Sequence, residues 1–247
     1  MSELVMQTPT PEVRVLTMAR SARRNALSRS LISELCHAIQ QAETDGIRAL
    51  VVAGEGPSFS AGADFSGLEG DGSDQDYDDE MSRLTGALEE SPLISVAAVQ
   101  GACIGAGLDL ALACDFRVAA SDAVFALPAV KMGILYNPQR LAQILPKFSH
   151  AAAMRLLLLA DKLDQTEALA AGVATHPAQS GQALTMATDL ASRAARLPPL
   201  AQRTSKAFVK AFHRPDFAAE DWQARRTELL TSDERRTALR LARKPKT

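Results

Sequence analysis

Two stretches of small residues are where this chain could do chemistry. The first is Ser60-Ala61-Gly62-Ala63-Asp64, and the second is Gly101-Ala102-Cys103-Ile104-Gly105-Ala106-Gly107-Leu108-Asp109. Small residues let backbone approach a ligand closely, and the first N–H groups of a helix have no partner within it. Two such turns side by side could aim two N–H donors at one oxygen and form an oxyanion hole. The alternative reading is plain strand–helix packing. A dinucleotide site fits less well, because Leu110 replaces the third glycine after Gly105 and Gly107 and the turn lies too far along the chain. The sequence has no phosphate-binding Gly-x-x-x-x-Gly-Lys, no Gly-x-Ser-x-Gly elbow and no His-Glu-x-x-His. His37, His150, His176 and His213 lie away from both turns and read as surface or core-edge residues.

The flanking segments must position these turns. Val13–Met18 alternates as a strand, and Ser28 reads as the N-cap of a helix to about Thr44 whose apolar face holds Leu31, Ile32, Leu35, Ala38 and Ile39. Gly46 ends that helix, and the apolar run Ala49–Ala53 is a strand that feeds the first turn. Ile94–Val99 is a buried strand leading to the second turn, and Asp115–Ala120 is another. Residues 69–80 carry seven acids and no base, which predicts a solvated, mobile excursion with a helix resuming near Met81. Its acids lack the spacing of a calcium loop. Beyond about Pro138 the pattern turns helical, with helices expected at roughly 150–160, 164–171, 180–196, 200–212, 217–231 and 233–243. The expected organisation is an α/β core over 1–190 and a helical region over 191–247.

Composition excludes several classes of function. The 247 residues carry 27 Lys+Arg against 29 Asp+Glu, so bulk charge gives no affinity for nucleic acid. At 4% aromatic content there are few platforms on which bases could stack. Cys36, Cys103 and Cys114 form no metal-ligand pair and read as thiols in a reducing compartment. The N-terminus lacks the pattern of a signal peptide, and no window approaches the ~18 apolar residues of a membrane helix. A cytoplasmic protein is expected.

Taken in order, these segments resemble the crotonase (enoyl-CoA hydratase/isomerase) superfamily. The resemblance runs through Arg23-Arg24-Asn25-Ala26-Leu27, Phe59-Ser60-Ala61-Gly62-Ala63-Asp64 and Ala98-Val99-Gln100-Gly101 with Gly105-Ala106-Gly107. Leu110-Ala111 with Cys114-Asp115, Phe125 with Pro128, the stretch Leu163 to Gly172, and a basic tail continue it. It implies a spiral of ββα turns followed by a helical trimerisation region, assembled as a trimer or dimer of trimers. It also implies an acyl-coenzyme A thioester as substrate, with no separate cofactor and no metal. The two oxyanion-hole N–H groups would be those of Ala63 and Ala106. Arg23, Arg24, Ala26, Ala61, Asp64 and Phe65 would line the coenzyme A side, and Arg240, Arg243, Lys244 and Lys246 could reach it from a neighbouring subunit. Solvent exposure is the other reading of all these basic residues.

The acid–base positions depart from the family. Of the two glutamates that family hydratases use, the first maps to Asp109 and the second to Ala129, which cannot move a proton. Asn137 stands where dienoyl-CoA isomerases carry a further carboxylate, and an amide cannot act as a base. Gly133-Ile134-Leu135-Tyr136-Asn137 is similar to a family decarboxylase segment in which the tyrosine orients a departing carboxylate, although Leu135 replaces its proline. Tyr136 could equally be a core phenol with a satisfied hydroxyl. The expectation is an acyl-CoA enzyme that holds a thioester enolate on Ala63 and Ala106, with Asp109 handling one proton. The competing expectations are a methylmalonyl-CoA-decarboxylase-like enzyme and a non-catalytic acyl-CoA-binding protein. Glu89, Glu90 or Asp64 facing Asp109 would supply the missing base.

Overall fold

The computed structural model describes residues 2–212 and 216–243. The predicted residues His213, Lys244 and Lys246 lie outside them. The chain forms two compact units, residues 1–194 and 195–247. Among the described residues the first unit holds two sheets. The larger one is built from β1 (Leu4–Thr10), β2 (Val13–Met18), β3 (Ala49–Gly54), β4 (Ile94–Val99), β6 (Phe116–Ala120) and β9 (His176–Ala178), in that spatial order. The smaller one orders β5 (Ala102–Ile104), β7 (Val124–Ala126) and β8 (Lys162–Leu163). β1 and β2 pair as an antiparallel hairpin, and from β2 onward the large sheet is parallel.

Burial follows from the sequence of each strand. β4, Ile-Ser-Val-Ala-Ala-Val, is buried at every position, as a continuous apolar run covered on both faces must be. β1 lies at the sheet edge with most positions exposed, and Pro9 is tolerated there because an edge N–H needs no ladder partner. Its mixed sequence carries no clean alternation, which is why it is absent from the sequence expectation. β5 and β7 are three residues each and are equally invisible by pattern.

Most helices of the first unit form where the sequence places them, while the second starts earlier and the one at Pro138–Ile144 is not among those expected. α1 (Arg29–Thr44) starts at Ser28, whose Oγ accepts the Leu31 N–H at 3.1 Å, and it buries the predicted face. α2 (Gln75–Glu90) corrects the reading of the acidic stretch, since the helix begins six residues before Met81. Asp71 and Asp74 accept backbone N–H groups of Ser73, Glu69 and Gly70, and acids in the first turn complement the helix dipole. Tyr77 anchors that turn, buried and donating its hydroxyl to Leu27 O at 2.9 Å. Then come α3 (Ala106–Ala113), α4 (Pro138–Ile144), α5 (His150–Met154) running into a π-turn at Arg155–Leu159, α6 (Gln165–Ala171) and α7 (Ala183–Ala195).

The second unit is helical, with α8 (Pro199–Phe212), α9 (Gln223–Thr231) and α10 (Asp233–Ala242). Glu234 accepts the N–H groups of Leu200 and Ala201 at 2.9 and 3.0 Å and so ties α10 to the start of α8. Phe208, Phe217 and Trp222 form an aromatic knot. None of the described helices is long and apolar enough to cross a membrane.

Candidate active site

Four loop and strand segments are stitched together around the two glycine turns. Ser60 donates its N–H to Ala102 O at 2.9 Å and accepts Ile104 N–H at 3.0 Å, so the first turn lies against β5. Gly105 N–H reaches Ala126 O at 2.9 Å, which adds β7. Leu27 pairs with Ala63 through Leu27 N–H to Gly62 O (2.8 Å) and Asp64 N–H to Leu27 O (3.2 Å). In that pairing the neighbours of Ala63 make the bonds, so its own N–H points away from Leu27. Gly62 has φ +101°, and a Cβ there would lie 2.8 Å from Ile104 O and 3.6 Å from Ala106 N. The second turn therefore faces the Ala63 segment at backbone distance.

Ala106 opens α3, with Gly105 at φ 55° and ψ −121° as an N-cap that offers no side chain. Only glycine adopts that backbone readily. Among the described residues neither the Ala63 nor the Ala106 N–H has a hydrogen-bond partner. Both are free donors, and the second carries the positive end of a helix.

Side chains missed by sequence reading hold this frame. Asn25 is fully buried in a left-handed backbone (φ 54°), donating to Glu55 O and Ser58 O at 2.9 and 2.8 Å and accepting Arg20 N–H at 3.0 Å. Arg20 pairs with Glu3 and with Asp64, both at 2.7 Å, and donates to Ala26 O. Bonds from Ser66 and from Arg20 hold the Asp64 carboxyl down at about 2. Asp64 is thus spent on clamping the loop. Arg23 and Arg24 are exposed, with no ion pair among the described residues, and Phe65 on the other loop is exposed as well. Ala26 is buried and Ala61 half-buried.

The acid–base side is built differently. Asp109 is 0% exposed, one turn along α3 from Ala106. Arg140, 3% exposed, grips it with Nη2 at 2.6 Å from Oδ1 and Nε at 3.1 and 3.2 Å from the two oxygens. Tyr136 adds its hydroxyl to Oδ2 at 3.0 Å. Arg140 also reaches Glu89 at 3.2 Å and Gln143, and Lys147 bonds Glu89 and Leu112 O, each at 2.7 Å. Burial alone would raise the Glu89 carboxyl, but Lys147 and Arg140 outweigh it and leave it below its ordinary value. Burial and the Asp109 carboxylate push the Tyr136 phenol well above its usual range, so it remains a protonated donor. Asp78, half-buried on α2, is raised by burial and by Asp79, Asp109 and Asp74.

Of the three possible replacements for the missing base, Glu89 is committed to Arg140 and Lys147, and Asp64 to Arg20 and Ser66. Glu90 lines a separate cleft between α1 and α2 with Arg29, Cys36 and Arg83. Ala129 begins a 3₁₀ turn (Ala129–Met132) and contributes no acid. Asn137 caps α4 through its side-chain oxygen.

The enoyl-CoA hydratase/isomerase family model matches residues 10–238, nearly the whole chain. The chain belongs to this family. It is 38% identical over 194 residues to a probable enoyl-CoA hydratase, echA6, of Mycobacterium tuberculosis, covering 78% of this chain and 77% of that protein. It is 32% identical over 207 residues to the 2,3-dehydroadipyl-CoA hydratase of Escherichia coli K12, covering 83% and 81%. Among solved structures, Pseudomonas aeruginosa DspI superposes with a TM-score of 0.89 at 31% identity, covering 100% of this chain and 97% of that one. An enoyl-CoA hydratase/carnithine racemase from Magnetospirillum magneticum gives 0.90 at 28% identity, covering 100% and 95%. The α/β architecture expected from the crotonase resemblance is the one observed. Within the family, this member keeps two backbone donors free and places its Asp109 in a buried ion pair.

Proposed function

We propose that this protein binds an acyl-CoA thioester and seats the thioester oxygen between the N–H groups of Ala63 and Ala106, where an enolate is stabilised. The observation that carries this reading is the pair of unbonded N–H donors on two turns laced to each other. Preorganised donors of this kind are worth about 3–4 kcal/mol each to a developing oxyanion. Arg23 and Arg24, exposed and with no ion pair among the described residues, would meet the phosphates of coenzyme A at the rim. No metal or further cofactor enters this reading. The helices of residues 195–242 would serve as the subunit contact of a homotrimer or dimer of trimers, to be read by light scattering after size-exclusion chromatography.

Two-carboxylate addition of water is disfavoured by Ala129, so the reaction is one needing a single proton shift, as in double-bond isomerisation. A decarboxylase-like reading is weaker, because the Tyr136 hydrogen is already given to Asp109. One observation favours a second reading, acyl-CoA binding without turnover: Asp109 is wholly buried and both its oxygens are occupied. Crotonyl-CoA, a 3-enoyl-CoA and methylmalonyl-CoA, each assayed with wild type and Asp109→Asn, separate these readings. Turnover of the 3-enoyl-CoA lost on substitution supports isomerisation. Micromolar binding of all three with no product supports the carrier. Failure of any acyl-CoA to bind rejects both.

A further inference from the structure

The buried cluster assigns different work to its members according to which of them a ligand can touch. Asp109 is fully buried and Arg140 nearly so, while Tyr136 is partly buried against the core and keeps some of its surface exposed. A ligand that reaches this cluster therefore meets the phenol first. Its hydroxyl hydrogen is committed to Asp109 Oδ2 at 3.0 Å, and Asp109 is in turn fixed by three contacts from Arg140. A tyrosine oxygen that donates in this way still has lone-pair capacity and presents it as an acceptor. The proton stays on the phenol, because burial and the neighbouring carboxylate both oppose its loss.

Resting on the acyl-CoA reading above, we propose that Arg140 is a positioning residue which, through Asp109, turns Tyr136 into a hydrogen-bond acceptor for a hydroxyl or water on the acyl chain. Asp109 then orients the phenol through its Oδ2. Arg140 is anchored from behind by Glu89, itself held by Lys147, so the guanidinium has one setting and transmits it to the phenol. The arrangement favours acyl groups that carry a donor close to the thioester over saturated chains of equal length. It disfavours a carboxylate in the same place, since an acceptor would face an acceptor.

The test compares dissociation constants for 3-hydroxybutyryl-CoA and butyryl-CoA by calorimetry, which needs no turnover. Wild type is expected to prefer the hydroxylated thioester by about fivefold, the value of one hydrogen bond. Tyr136→Phe removes the preference. Arg140→Gln removes it equally without touching ligand, the double variant loses nothing more, and Arg140→Lys restores part of it. A merely structural role for Arg140 would weaken both ligands alike and leave their ratio intact, and that result overturns the proposal. Arg140→Lys, which keeps a cation at the buried pair, carries the test if Arg140→Gln fails to fold. Binding of both thioesters with no preference in wild type rejects this inference alone, whereas no binding of either rejects the acyl-CoA reading with it.

Discussion

The two halves of the candidate site are made of different material. The Ala63–Ala106 half is backbone, drawn from turns that adjoin each other through bonds such as Ser60 N–H to Ala102 O. The Asp109 half is side chain, drawn from α2, α3, α4 and the turn at Lys147; its central pair, Asp109 and Arg140, is charged and buried, and Glu89 and Lys147 are charged and partly buried. A backbone site tolerates change of residue type, and the alanine at position 106 donates as a glycine would. A side-chain site changes its chemistry with one substitution, as Ala129 shows. The first half can therefore persist in family members while the second is rebuilt for another task.

Substitutions sharpen this contrast. The largest effect is expected from Arg140→Ala, which leaves the Asp109 charge buried and unpaired at a cost of about 3–5 kcal/mol. Denaturant melts measure it, and the paired change Arg140→Met with Asp109→Leu should recover most of the loss. Recovery failing in the pair would mean that the charges, and not the packing, hold this half together. On the backbone half, Gly62→Ala forces a side chain into φ +101° against Ile104 O, and a cost of about 2 kcal/mol is expected together with loss of acyl-CoA binding. An unchanged affinity would detach that turn from the ligand.

Two smaller effects bracket the comparison. Ser28→Ala removes the cap of α1 and should cost about 1 kcal/mol in a melt while leaving ligand affinity unaltered. The Asp64 clamp predicts a pH effect. Its carboxyl titrates at about 2 in the fold against 3.8 ordinarily, so the stability it contributes is complete above pH 3.8 and is lost as pH falls towards 2. Asp64→Asn should flatten that acid limb of the stability curve, and a limb of unchanged steepness would remove the clamp from the account.

Legibility in the sequence divides along the same line. The backbone half could be read because glycine and alanine at fixed spacing after apolar strands are a local signal, and α1 with its Ser28 cap was readable for the same reason. In the side-chain half the family resemblance points to Asp109 and Tyr136, but Arg140 is hidden, because it reaches Asp109 across 31 positions and Glu89 across 51. No spacing rule joins such residues. Arg20 and Asn25 share that obscurity, although Asn25 follows two arginines in a loop and its tolerance of a left-handed backbone was a usable hint. The early start of α2 was hidden by its acids, whose local repulsion is offset by the helix dipole and by one buried tyrosine.

That tyrosine has a practical consequence. The chain has two tyrosines, and both belong to the candidate site: Tyr77 on Leu27, the partner of Ala63, and Tyr136 on Asp109. Its one tryptophan, Trp222, belongs to the other compact unit. Near-ultraviolet circular dichroism thus comes already labelled, with phenol bands reporting the candidate site and indole bands the C-terminal helices. Ligand arrival and the state of the helical unit can be followed as separate colours in one unmodified sample.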